Sequence, residues 1–197
     1  MDGDIAEIRS HRFTVADYHR MAEVGILGED SRVELIRGHI VDMAPIGAPH
    51  LGMVNRLTRL LPALLGARGV LSIQNPVRLD DGSEPEPDVA VLKPRADDYE
   101  TATPSPSDVL LLIEVSDSTL RDDREVKMPL YAEGGIPECW LVDLGGRAVE
   151  VYRQPSGGRY AQVRRIGPEG ALDIEALPGA SLSAADLLRS VVARIDD

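Results

Sequence analysis

Val109-Leu110-Leu111-Leu112-Ile113-Glu114-Val115 decides how this chain is built. Apolar residues occupy consecutive positions, so a strand here is buried on both faces and belongs in the middle of a sheet. Glu114 breaks the run. An ionised carboxylate in such a strand is costly unless it is paired or holds a metal. The strand that sets the core therefore also poses the first chemical question.

Upstream, Asp88-Val89-Ala90-Val91-Leu92 begins another strand after a Pro-rich acidic loop. Val70 to Gln74 and Val77 to Leu79 read as strands, and Pro76 between them suggests an edge or a bulge. Tyr99 to Ser107, with Pro104 and Pro106, reads as a surface loop. Val33-Glu34-Leu35-Ile36 and Ile40-Val41-Asp42-Met43 flank Arg37-Gly38 and predict a hairpin with a tight turn. Thr14-Val15-Ala16-Asp17 has the capping-box form, and Val15, Tyr18, Met21 and Ala22 recur at helical spacing before Gly25. A second helix is expected from about His50 to Leu65. Its stripe is Val54, Leu57, Leu60, Leu61, Leu64 and Leu65, with Arg56 and Arg59 off it. Pro62 predicts a kink or an early stop.

Downstream, a helical region is expected over about Asp122 to Glu133, closed by Gly134-Gly135. Strands follow at Cys139 to Asp143 and Ala148 to Tyr152, around the Gly145-Gly146 turn, and again at Arg159 to Ile166. Ser183-Ala184-Ala185-Asp186 has the form of a cap on a last amphipathic helix. Helices and strands interleave, which predicts an α/β chain with a mixed sheet flanked by helices. Residues 1–12 read as a loose segment and 13–197 as one domain, without repeats or a dividing linker.

The bulk numbers fit that reading. The chain has 197 residues, 43% hydrophobic and 27% charged, enough for a core and a soluble surface. Aromatics make up only 4%, so Leu, Val and Ile must fill the interior. No apolar run approaches the ~20 residues of a membrane span, and the acidic opening Met1-Asp2-Gly3-Asp4 does not read as a signal peptide. The single cysteine, Cys139, excludes an internal disulfide and a cysteine-based metal cage. The expected address is the cytoplasm. The net charge of −12 weighs against tight nucleic-acid binding, which draws on Lys and Arg that displace counterions from phosphates. Much of that acid is local: Asp80, Asp81, Glu84, Glu86 and Asp88 crowd one stretch, followed by Asp97, Asp98 and Glu100. Such a cluster is either a solvated loop or a place that holds a hard cation.

Asp88 stands just after Pro87 at the mouth of one apolar run, and Glu114 sits inside the other. If those strands are neighbours, the two carboxylates converge and repel, leaving one protonated. A divalent cation resolves the conflict: Mg²⁺ takes one or two protein carboxylates and fills the rest of its shell with water and phosphate oxygens.

Pro87-Asp88, then Ile113-Glu114-Val115-Ser116, then Lys127 resembles the signature of the PD-(D/E)XK nuclease superfamily. The closer resemblance is to its Uma-two family of restriction-endonuclease-like proteins. It is carried by Val33 to Gly38, Pro87 to Val91, Glu114 to Thr119, and Lys127 to Ala132 through Gly135 to Asp143. The resemblance implies a restriction-endonuclease-like core and metal-assisted hydrolysis of DNA phosphodiesters. It also implies Mg²⁺ or Mn²⁺ on Asp88 and Glu114, and Lys127 orienting water or neutralising developing charge. By the same resemblance Glu34 binds the metal or positions a water, His50 touches phosphate or the metal shell, and the chain forms a homodimer. One departure stands out. The superfamily lysine lies two residues after the glutamate, where this chain has Ser116, so Lys127 must supply it from the following helical region. Pro129 then requires either a turn carrying Lys127 ahead of a helix or a kink in one helix.

Blander readings compete at every position. Asp88 can cap a turn, Glu114 can be the structural ion-pair partner of Lys127, Glu34 can be solvated, and His50 can simply open a helix. Ser116, Ser118 and Thr119 read as caps of the next helix, and Tyr131 and Trp140 as core. Two functional classes remain: a metal-dependent deoxyribonuclease, and a non-catalytic homodimeric interaction or regulatory protein that keeps the fold.

Overall fold

The computed structural model describes residues 10–28 and 30–189. Most of the segment expected to be loose, and the end of the last expected helix, lie outside those residues. Helix α1 (Val15–Glu23) opens on the capping box foreseen, with the Thr14 and Asp17 side chains each accepting the other's backbone N–H. Strands β1 (Val33–Ile36) and β2 (His39–Asp42) form an antiparallel hairpin. Arg37 and Gly38 both have positive φ, as the tight turn between twisted strands requires. A side chain at Gly38 would also collide with Arg12, whose Cβ lies 2.8 Å from the position of the missing Cβ.

Helix α2 (Ala48–Leu65) runs through Pro62 without stopping. Leu57, Leu61 and Leu65 are buried under it against the sheet, and that burial holds the last turn despite the lost backbone donor. The main sheet has six strands in chain order: β3 (Val70–Ile73), β4 (Val89–Leu92), β5 (Val109–Ser116), β6 (Glu138–Asp143), β7 (Ala148–Ser156) and β8 (Arg159–Ile166). All its pairings are antiparallel except β5–β6, which is parallel. A parallel pair needs a crossover, and the crossover is the helical run α3: Leu120–Asp122, a π-turn over Asp123–Lys127, then Met128–Glu133. A short hairpin of β9 (Ala171–Asp173) and β10 (Ser181–Ser183) and the helix α4 (Ala184–Leu188) complete the described chain.

Strand β5 is buried at every position between β4 and β6, as its apolar run requires. Its residues alternate between two cores. Leu111, Ile113 and Val115 face α2 and the C-terminal hairpin, while Leu112 faces Met128 and Tyr131 of α3. Glu114, in step with Leu112, therefore points toward α3.

Three local expectations are corrected. Val77 to Leu79 is not a strand: Val77 is buried, but its N–H bonds Pro85 and that of Leu79 bonds Ser83 within an irregular loop. Pro76, Pro85 and Pro87 offer no donors from which a ladder could be built. Ser183 stands before α4 without a side-chain cap bond. Thr119 begins α3 without one either, because its hydroxyl is used elsewhere. The hairpin of β9 and β10 was not foreseen, its strands being only three residues each.

Candidate active site

Strands β4 and β5 are antiparallel neighbours with Val89 opposite Ile113. One step further that register sets Asp88 opposite Glu114. Both line one cavity of about 750 Å³ between the β1–β2 hairpin, the start of α2, the end of β5 and the π-turn of α3. The structure brings all five sequence-derived candidates, Asp88, Glu114, Lys127, Glu34 and His50, to this cavity.

Each is held by named partners. Asp88 Oδ2 accepts the Val115 backbone N–H at 2.8 Å and faces His50 Nε2 at 3.0 Å, while Oδ1 accepts from Gln74 Nε2 at 3.3 Å. Asp88 is thus fixed by the backbone of β5 itself. The bond from Asp88 raises the pKa of His50 above the usual imidazole range, against the opposing effect of burial. The other ring nitrogen, His50 Nδ1, is buried without a hydrogen-bond partner among the described residues.

Glu114 is only 3% exposed. Its Oε1 accepts a short hydrogen bond from the Tyr131 hydroxyl and lies 3.3 Å from Lys127 Nζ. Burial pushes its carboxyl up to about 8, an effect that Lys127 offsets only in part and Asp88 reinforces. The same Lys127 ammonium lies 3.3 Å from Glu34 Oε1. Burial works against its charge, but Glu114 and Glu34 outweigh that and hold its pKa above the ordinary lysine range. Glu34 is oriented in turn by the Glu86 N–H, which donates to Oε2 at 3.1 Å. The ion pair between Glu114 and Lys127 foreseen as a bland reading is present, with Glu34 as a third member.

The π-turn answers the problem set by Pro129. Its ring would crowd the carbonyl of Glu125 in a regular helix. Widening the preceding turn, with the Met128 N–H bonded to the Asp123 carbonyl, moves that carbonyl aside. Lys127 ends the widened turn and reaches the cavity without breaking the helical run. Such π-turns recur at functional sites.

Sequence reasoning missed Asp123. It is buried in the π-turn, accepts from the Thr119 hydroxyl at 2.8 Å, and lines the cavity; burial raises its pKa. Its position four residues before Lys127 was the available signal, since that spacing shares one helix face. Tyr131, taken for core alone, also donates to Glu114, and Glu86, raised mainly by burial and then by Glu34, lines the cavity too.

A divalent cation fits the donor set at Asp88 and Glu114. Two carboxylates lining one cavity suit Mg²⁺ or Mn²⁺, which needs few protein ligands and keeps its waters. Among the described residues, no group of three or more His, Cys, Asp or Glu side chains is arranged to enclose an ion.

A six-stranded mixed sheet flanked by helices, with an acidic pair where β4 begins and β5 ends, defines the class as a nuclease-like α/β fold. The model of the Uma2 family, described as "Putative restriction endonuclease", matches residues 15–185, and the chain belongs to that family. A crystal structure from Anabaena variabilis ATCC 29413, described as a putative nuclease belonging to DUF820, superposes with a TM-score of 0.70 at 15% identity. The match covers 89% of this chain and 97% of that one, and it shows the shared fold. No curated protein matches the chain.

Proposed function

We propose that the chain is a Mg²⁺- or Mn²⁺-dependent endonuclease that hydrolyses DNA phosphodiester bonds. The observation that carries the reading is the register of β4 on β5, which sets Asp88 opposite Glu114 in a cavity that Lys127 also enters. Asp88 and Glu114 would hold the cation. When bound, the ion supplies a water of lowered pKa and charge neutralisation at the phosphate. Asp88, fixed by the Val115 N–H and His50, presents its carboxylate in one orientation. Lys127 brings a positive charge to where negative charge develops on the phosphate. Glu34 positions Lys127 by sharing its ammonium with Glu114. His50, which lines the cavity, holds Asp88 in place through Nε2.

Family membership and the nuclease-like fold support this reading. Incubation of the purified chain with plasmid and oligonucleotides in Mg²⁺, Mn²⁺ or chelator tests it. Metal-dependent cleavage lost in Asp88→Asn and Glu114→Gln is the expected result; no cleavage of any substrate with either metal overturns it.

One observation favours the second reading, a non-catalytic homodimeric interaction protein. Eight acidic side chains line the cavity against two full cations, Arg32 and Lys127, a poor lining for a polyanion. The homodimer belongs to both readings. Of the surface that Arg56, Arg59 and the C-terminal strands could supply to it, Arg56 is spent inside the chain on the carbonyls of Leu187 and Arg189 at 2.5 and 2.7 Å, while Arg59 and the exposed outer strand β8 remain. Light scattering tests this against the 21.3 kDa of one chain. Among the described residues no helix is long and apolar enough to cross a membrane.

A further inference from the structure

The cavity has two kinds of wall. Its floor is the set of carboxylates around Lys127, and its exposed rim sets apolar side chains beside Asp42, Asp117 and Asp122. Val41 on β2 and Ile46 in the loop before α2 are each 40% exposed, and Val126 in the π-turn is 38% exposed; all three line this cavity. They are three of the seven large hydrophobic side chains left exposed among the described residues. They come from two separate elements, the hairpin with its following loop and α3, so apolar surface flanks the acidic floor from both. Exposed apolar surface gathered at one cleft marks a binding site rather than chance.

From these walls we infer that the site takes an unpaired nucleotide, so that single-stranded or locally opened DNA is the substrate class of the proposed nuclease. This rests on the nuclease reading and narrows it. A phosphate that reaches the floor leaves its attached base at the level of Val41, Ile46 and Val126. In a duplex that base is stacked and paired, and bringing it to the wall requires unstacking, which costs least where the strand is already single. The charges point the same way. Non-specific duplex binding draws its affinity from lysines and arginines along the backbone. Here the cavity offers Arg32 and Lys127 against eight acids, and Lys127 is already shared between Glu34 and Glu114. Single-strand binders add to backbone charge a contact with the faces of the bases, which is tolerant of sequence. A cavity of about 750 Å³ lies in the range of sites that bury a small molecule, the size class of one nucleotide.

The experiment compares labelled oligonucleotides in Mn²⁺: a single strand, the blunt duplex of the same sequence, and that duplex with a central unpaired loop. It adds fluorescence anisotropy of a thymidine oligonucleotide, and of one carrying abasic sites, in Ca²⁺. Ile46→Thr and Val126→Thr change an exposed apolar group for a polar one and leave the core intact; Val163→Thr, on the far edge strand β8 and 53% exposed, is the control. Expected are cleavage of the single strand and the loop at least about tenfold faster than the blunt duplex, which corresponds to about 1.4 kcal/mol. The preference should shrink in Ile46→Thr and Val126→Thr and not in Val163→Thr, with weaker binding of the abasic oligonucleotide. Equal or faster cleavage of the duplex, or a preference untouched by both cavity variants, overturns the inference and leaves the nuclease standing. If nothing is cut, the nuclease reading falls. The anisotropy then decides: base-dependent binding weakened by Ile46→Thr keeps the site as a single-strand binder, and its absence overturns both.

Discussion

Glu114 announces itself in the sequence because nothing else in Val109 to Val115 is charged, and its burial is the most consequential fact at the residue scale. Its carboxyl, pushed up to about 8, starts from an unfolded value near 4.5. Between those values the folded chain holds a proton that the unfolded chain has lost, so this group withdraws stability as pH rises from about 4.5 to about 8. Gln resembles the protonated side chain and escapes that loss. Glu114→Gln with chelator should melt with the wild type near pH 5 and above it at pH 8. The gap should reach a few kcal/mol at most, each pH unit of separation being about 1.4 kcal/mol. Thermal melts across that range check it, and a variant less stable at pH 8 contradicts it. Lys127→Met should behave oppositely. It leaves Glu34 and Glu114 buried without their cation, a loss of about 3–5 kcal/mol for a broken buried pair. The loss should be larger at pH 8 than at pH 5, where a carboxylate can take up a proton. Added Mn²⁺ should restore part of that stability if the site holds a cation. Asp123 was missed because an Asp in a run of Asp and Arg looks solvated; its spacing from Lys127 hinted at it, and in the structure it is buried in the π-turn.

At the scale of elements, most strands were legible from local pattern, the exposed β8 as well as the buried ones. Strands β5 and β6, buried throughout, and the Arg37-Gly38 hairpin follow from local pattern. The loop around Val77 misled because a buried valine need not sit in a ladder. Nor could periodicity reveal β9 and β10, whose place depends on a distant side chain. Glu138, buried at the start of β6, accepts from Trp140 Nε1 at 2.8 Å, from Arg153 Nη2 at 2.8 Å and from the Glu175 N–H at 2.8 Å. It thereby ties the segment after β9 to the main sheet. Glu138→Ala leaves the Trp140 indole donor unpaired and Arg153 with only the Asp173 carbonyl and Glu175, so a loss of about 1–3 kcal/mol is expected. Hydrogen exchange should show the amides of 171–183 exposed before those of β5 and β6. Uniform exchange over both regions would mean that the hairpin does not depend on Glu138.

For the whole molecule, the net charge of −12 and the acidic cavity constrain any encounter with DNA more than the fold does. The mixed α/β fold and the family were readable from the strand pattern and the spaced motifs, but the distribution of charge around the site was not, because it depends on which loops fold over it. The tight local pairs remove further positive charge from the surface. Arg124 and Arg165 are both held by Glu150, Arg153 by Glu138, and Arg56 by backbone carbonyls. Cations committed in this way release few counterions when DNA arrives. For single strands the logarithm of affinity falls with the logarithm of salt at a slope of about −0.7 per phosphate neutralised. With only Arg32 and Lys127 among the full cations of the cavity lining, the slope for a single-stranded oligonucleotide should be no steeper than about −1.5. Anisotropy titrations over a range of NaCl at fixed Ca²⁺ measure it directly. A shallow slope fits contact through bases and a bound cation. A slope steeper than about −3 requires more than about four neutralised phosphates, hence a basic surface outside this cavity, and would move the DNA path away from Val41, Ile46 and Val126.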